Sequence, residues 1–140
     1  MRNIILLGLA LAVSSCSGQV KDISKDFKEM NYVLARMYSE KPLKRELFNG
    51  GIFVTVFKFS DSKNTPNDSF KETDESLDSY LISSTIDGDS YIKSKLHKIG
   101  GLLNPKIKKI KELDYPFYSI EIEFGEINKR KIKVFKLKGI

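Results

Sequence analysis

The sequence predicts a small α+β domain, with a mostly antiparallel sheet of about four strands, helices on one side and a β-hairpin at the C-terminus. Three observations lead to this class. Near the start, Ile23, Phe27, Met30, Leu34 and Met37 recur at helical spacing. The stretches "IFVTVFKFS" and "FYSIEIEF" are rich in β-branched and aromatic residues, as strands are. Turn and capping signals then divide the chain into helix, strand, strand, helix, helix, strand, strand, an order that segregates helices from an antiparallel sheet.

The first helix is expected over 21–38. Its apolar stripe faces a core, and its other face mixes Asp26 and Glu29 with Lys25 and Lys28, whereas helices lying on membranes are richer in basic residues. Pro42 disfavours helical backbone at Lys41 and so ends the helix before it. After the turn signal Asn49-Gly50-Gly51, residues 52–60 form a strand with Val54 and Val56 on one side and Phe53, Phe57 and Phe59 on the other. Apolar residues on both sides predict a central strand covered on each face. Residues 61–78 hold six acidic residues against Lys63 and Lys71 and are broken by Pro66, so an exposed acidic loop is expected.

"YLISSTI" reads as a second strand ending at the turn Asp87-Gly88. Asp89 or Ser90 then caps a helix carrying Ile92, Leu96 and Ile99, which stops at Gly100-Gly101. Asn104-Pro105 starts a short helix containing Ile107 and Ile110, although "KIKKIKEL" also suits an extended chain. The C-terminal hairpin is expected to pair Ile122 with Ile132 and Ile120 with Val134 on one face, and Glu123 with Lys131 and Glu121 with Lys133 on the other. Glu126 to Asn128 make its loop.

At 140 residues, 41% hydrophobic and 30% charged, the chain has room for one globular domain. Its single cysteine rules out an intramolecular disulfide and zinc sites built on several cysteines, so an apolar core must hold the domain. Charge is uneven. Residues 1–90 carry 11 Lys and Arg against 13 acidic residues, and residues 91–140 carry 13 against 5. Lys106, Lys108, Lys109, Lys129, Arg130, Lys136 and Lys138 form a candidate basic surface for anionic lipid headgroups or an envelope polyanion. The plainer alternative is a solvated lysine-rich surface, with Lys131 and Lys133 neutralised across the hairpin. Lysine in place of arginine argues against nucleic acid.

No constellation for catalysis is recognisable. His97 is the only histidine, placed at the boundary of a helix face, and neither a G-x-S-x-G nor an H-E-x-x-H pattern occurs. Asp87, Gly88, Asp89 and Ser90 offer oxygens as calcium loops do, yet Lys98 falls where such a loop needs glutamate, and a turn with a helix cap accounts for them. Ser83, Ser84 and Thr85 are expected to hydrogen-bond locally. Tyr115, Phe117 and Tyr118 around Pro116 line either a small groove or a strand entry. No metal and no dissociable cofactor is expected.

An apolar run at residues 4–13, with Arg2 before it and small residues after it, has the layout of a secretory signal peptide and falls short of the roughly 18 to 20 residues that span a bilayer. It ends in Val13-Ser14-Ser15-Cys16, which resembles the lipobox of bacterial lipoproteins. That resemblance implies a signal peptidase that recognises Val13, Ser14 and Ser15 and cuts before Cys16, which then carries a thioether-linked diacylglycerol. The chain would divide into a signal peptide (1–15), a lipidated tether (16–20) and the domain (21–140). The implied location is the cell envelope: the periplasmic side of the outer membrane in a Gram-negative source, where Ser17 resembles the sorting pattern, and otherwise the outer face of the cell membrane. The function expected is a membrane-anchored, non-catalytic binding or scaffolding module. The alternatives are a small envelope hydrolase working through Asp87, Asp89 or His97, and an inhibitor or immunity-type lipoprotein that engages a partner protein through the acidic loop.

Overall fold

The computed structural model describes residues 18–26, 41–60, 77–86 and 94–140. They form strands β1 (Gln19–Asp22), β2 (Leu43–Leu47), β3 (Ile52–Ser60), β4 (Leu77–Thr85), β5 (Ser94–Leu103), β6 (Lys106–Glu112), β7 (Phe117–Phe124) and β8 (Lys131–Lys138). No described residue is helical. The α+β expectation, with about four strands and helices on one side, is therefore corrected to an all-β fold of two antiparallel sheets. One has five strands in the order β1-β5-β4-β3-β2, and the other has three in the order β6-β7-β8.

The main core lies between the sheets. Ile52, Val54, Val56, Tyr80, Ile82, Ile99 and Leu102 of the first sheet meet Tyr118, Ile120, Ile122, Phe124, Phe135 and Leu137 of the second. Three buried hydroxyls are satisfied by two hydrogen bonds, one joining the two sheets and one reaching the connection between them. Ser84 Oγ and Tyr118 Oη lie 2.7 Å apart across the core, and Tyr80 Oη donates to the Pro105 carbonyl at 3.0 Å. Burial pushes the Tyr118 phenol up to about 12, against the opposing effect of the Ser84 bond. Ser84 thus bonds across the core, and does not bond locally as expected.

The described residues of both helices expected after residue 88, from Ser94 onward, are strands, and the reason is common to them. Leu96 and Ile99 are three apart and point to opposite faces of β5, an interior strand with apolar neighbours on both faces: Leu96 packs with Phe59 and Leu81, Ile99 with the main core. Gly100-Gly101, expected as a helix stop, is a bulge. Tyr80 pairs with Ile99 and Asp78 with Leu102, so β5 carries one extra residue there. Gly101 has φ +69, and its amide bonds Ser79 Oγ at 3.3 Å. The extra residue turns Leu102 back to the face that Ile99 occupies. In β6 the register shifts again: Ile107 pairs with Ile122 and Lys109 with Glu121, leaving Lys108 unmatched. Ile107 and Ile110 therefore share the core face at a spacing of three. Bulges imitate helical periodicity at both places.

The strand over 52–60 is found as expected, with Val54 and Val56 in the main core and Phe59 buried in a second cluster on the opposite face with Ile23 and Leu81. It forms a hairpin with β2 through a turn in which Phe48, Asn49 and Gly50 all have positive φ. The chain before Ile23 is strand rather than helix, since Gln19–Asp22 pairs with β5. From residue 27 the expected N-terminal helix lies outside the described residues. So do residues 61–76 of the acidic loop and the Asp87–Ser90 turn.

The C-terminal hairpin exists, but its register differs by one residue. Ile122 pairs with Lys133, Glu123 with Ile132, Glu121 with Val134 and Ile120 with Phe135. The loop is correspondingly longer, from Gly125 to Arg130, and replaces the expected three residues. This register sends the larger Phe135 and Leu137 inward and turns Ile132 and Val134 outward. Burying more apolar area favours it, and the lysines on the inner side keep their charges at the margin. Lys131 Nζ lies 4.9 Å from the Phe124 ring centre and Lys133 Nζ 5.1 Å from that of Phe135. Lys131 and Lys133 are thus not neutralised by Glu123 and Glu121 as expected.

Candidate functional site

Strand alternation and the register of β6 to β8 determine the outer face of the three-stranded sheet. Lys106 and Lys109 of β6, with Lys111, stand opposite Glu123, Glu121 and Ser119 of β7. Beyond these on β8 come Ile132, Val134, Lys136 and Lys138. Ile132 is 58% exposed and Val134 59%, although each carries a β-branched apolar side chain. Lys136 Nζ sits 4.7 Å from the centre of the Phe117 ring, which shares this face. Six lysines, counting Lys108 in the bulge, therefore surround two glutamates and an exposed apolar pair.

The structure sorts the expected basic residues. Lys106, Lys109, Lys136 and Lys138 lie on this one face. Lys108 reaches Glu123 at 3.7 Å. Arg130 serves the loop: its guanidinium donates to the Gly125 carbonyl at 2.9 Å and the Glu123 carbonyl at 3.3 Å, with the Glu123 carboxylate 3.8 Å away. Lys129 stays on the loop beside Glu126, at 3.8 Å. Lys111 extends the basic cluster of β6, and sequence reasoning missed Ile132 and Val134 because the expected register buries them.

The start of the described chain adjoins this sheet. Gly18 is buried, and its carbonyl accepts a hydrogen bond from Lys133 Nζ at 2.9 Å. A side chain at Gly18 would overlap Leu102 and stand 3.1 Å from Phe135 Cζ. The N-terminal chain thus enters the fold beside β8. Cys16, Val13, Ser14 and Ser15 lie outside the described residues.

The only histidine is placed differently from expectation, buried in β5 instead of on a helix boundary, and pairs in register with Ile82 and Asp22. Its Nδ1 is buried and has no hydrogen-bond partner among the described residues. Burial holds its pKa below the ordinary 6.5, partly offset by Asp22 and reinforced by Lys95. Asp22 in turn takes the Ser24 hydroxyl at 2.6 Å, the Ser24 amide at 2.9 Å and Lys95 Nζ at 3.2 Å. The two Ser24 bonds foremost, and then Lys95, hold its carboxyl well below the usual carboxylate range. Ser24 Oγ also accepts the Leu96 amide at 2.9 Å. The serine proton is directed at a carboxylate and not at the imidazole, so this is no nucleophile–base pair. The cluster holds the end of β1 against β5. Asp87 and Asp89 lie outside the described residues.

Tyr118 belongs to the core and Phe117 to the outer face, while exposed Tyr115 packs edge-on against Phe48 with ring centres 5.5 Å apart. Among the described residues no helix is long and apolar enough to cross a membrane, and no group of three or more His, Cys, Asp or Glu side chains is placed to hold a metal ion. Compared with known proteins, the chain matches no protein-family model, no curated protein and no solved structure.

Proposed function

We propose that this chain is a lipoprotein of a bacterial cell envelope, anchored through a diacylglycerol on Cys16, whose β-sandwich binds or scaffolds at the membrane surface rather than catalysing a reaction. What carries the reading is the lipobox Val13-Ser14-Ser15-Cys16 standing two residues ahead of Gly18, which is packed against Leu102 and Phe135. Two residues of extended chain reach about 7 Å at most, so a lipid on Cys16 would hold the sandwich directly against the bilayer. Each buried acyl CH₂ adds about 0.8 kcal/mol of membrane affinity, which makes two or more chains a durable anchor. The lysines of the outer sheet face support the same placement, since a basic residue close to an anionic leaflet contributes about 1 kcal/mol.

Cys16→Ala tests the anchor. The wild-type chain is expected in the membrane fraction, resistant to a carbonate wash, with a lipid mass on its N-terminal residue. The variant is expected in the soluble fraction or as an uncleaved precursor. Identical fractionation of the two chains, with no lipid mass on the wild type, would overturn the reading.

A further inference from the structure

We infer that the outer face of the three-stranded sheet, centred on Ile132 and Val134, is a docking surface for an anionic lipid bilayer. The inference rests on the anchoring proposed above and names the face that the anchor turns toward the membrane. Two independent observations meet there.

One is the composition of the face. Ile132 and Val134 project outward from an edge strand at 58% and 59% exposure. They are followed by Lys136 and Lys138 on their own strand and stand directly opposite Glu123 and Glu121 of β7, beyond which lie Lys106, Lys109 and Lys111. Glu123 is paired with Lys108 at 3.7 Å and Arg130 at 3.8 Å, so the face keeps an excess of lysine. Lysines alone would blunt an edge strand against pairing with other chains. That role leaves two exposed β-branched residues between the lysines unexplained, because they add the stickiness the lysines would suppress. An anionic bilayer satisfies both: the apolar pair enters the headgroup boundary while the ammonium groups meet lipid phosphates.

The other is the position of the anchor. The Gly18 carbonyl is held by Lys133, which lies between Ile132 and Val134 on β8 and points to the inner side of that edge strand. Chain leading to Cys16 therefore leaves the fold at the same strand that carries the apolar pair, and the lipid would bring that strand, not the β2 edge of the other sheet, to the surface.

The sequence contains no tryptophan, so a single introduced one reports its own surroundings. Ile132→Trp, placed in the full lipidated chain and reconstituted in phosphatidylcholine vesicles with phosphatidylglycerol, should show blue-shifted emission and strong quenching by brominated lipid. Lys44→Trp on β2 should remain quenched by aqueous iodide instead. Equal water exposure at both positions would overturn the inference.

The Cys16→Ala full chain separates docking from anchoring. It should still co-sediment with phosphatidylglycerol vesicles at low salt and not with phosphatidylcholine alone. Replacing both Ile132 and Val134 by aspartate should weaken that binding by about tenfold or more, with far-UV circular dichroism unchanged because both positions are exposed. If the wild-type chain carries no lipid mass on its N-terminal residue and the vesicle results hold, anchoring fails while docking stands. If lipid is found on Cys16 but the indole of the Ile132→Trp chain stays in water, docking fails while anchoring stands. Shielding of that indole by soluble polyphosphate or by a concentration-dependent self-association, and not by vesicles, overturns the lipid assignment.

Discussion

Replacing Phe135 with alanine and, separately, Val134 with threonine distinguishes the observed β8 register from the one read from sequence. Phe135 is 4% exposed, lies in the main core and packs against Gly18, whereas Val134 is 59% exposed. Removing a buried phenyl ring forfeits about 1.5–3 kcal/mol of transfer free energy, and the unfilled cavity raises the total to about 3–5 kcal/mol. That is a large share of the roughly 5–15 kcal/mol that holds a domain together. Val134→Thr keeps β-branching and volume at a solvated site, so its effect should stay within about 0.5 kcal/mol. Urea unfolding followed by far-UV circular dichroism reads both. With an m-value of about 1–3 kcal/mol/M, Phe135→Ala should lower the midpoint by about 1 M or more and Val134→Thr should leave it nearly unchanged. In a register with Ile132 and Val134 inward the order reverses, because threonine would then bury an unpaired hydroxyl at about 1–3 kcal/mol. A Val134→Thr loss equal to or greater than that of Phe135→Ala refutes the register and the docking face with it.

Tyr118→Phe should cost about 1–3 kcal/mol, since it strands the buried Ser84 hydroxyl 2.7 Å from its lost partner. Ser84→Ala combined with it should recover part of the loss, and strictly additive effects in the double-mutant cycle would show that the bond contributes nothing. His97 takes its proton less readily when folded than when unfolded, so the stability linked to it is complete above the ordinary 6.5 and is lost as pH falls from there toward the depressed folded value. Urea unfolding on either side of that pH should show the loss, His97→Gln should flatten it, and an NMR titration midpoint at or above 6.5 would contradict the burial argument. Asp22 adds a second acid-side loss beginning below the ordinary 3.8, which Asp22→Asn should remove. Gly125→Ala should destabilise by about 1–3 kcal/mol, because φ is +123 and a Cβ would stand 2.6 Å from the Lys129 carbonyl oxygen.

Local patterns are enough to locate β3, β4 and the existence of the C-terminal hairpin, and they alone carry the resemblance of residues 13–16 to a lipobox. In each of these the residues declare their role through neighbours one or two positions away. Alternation in "IFVTVFKFS" identifies a strand covered on both faces whatever lies against it, and the four residues ending at Cys16 are a pattern read along the chain itself. The other elements are decided at longer range. Leu96 and Ile99 have helical spacing but face opposite layers, which only an interior strand with apolar neighbours on both sides permits. Ile99 with Leu102, and Ile107 with Ile110, reach one face because a bulge adds a residue between them, and a bulge depends on the partner strand's count as much as on its own. The same helical spacing puts His97 on a boundary, where the strand buries it. The β8 register is decided farther away still. Both faces of "KIKVFKL" hold two apolar residues, so the hairpin alone leaves the choice open. The opposite sheet settles it, because the space facing Leu102 and Gly18 is filled better by Phe135 and Leu137 than by Ile132 and Val134. Core volume is a property of two sheets together, and it turns that pair out to solvent.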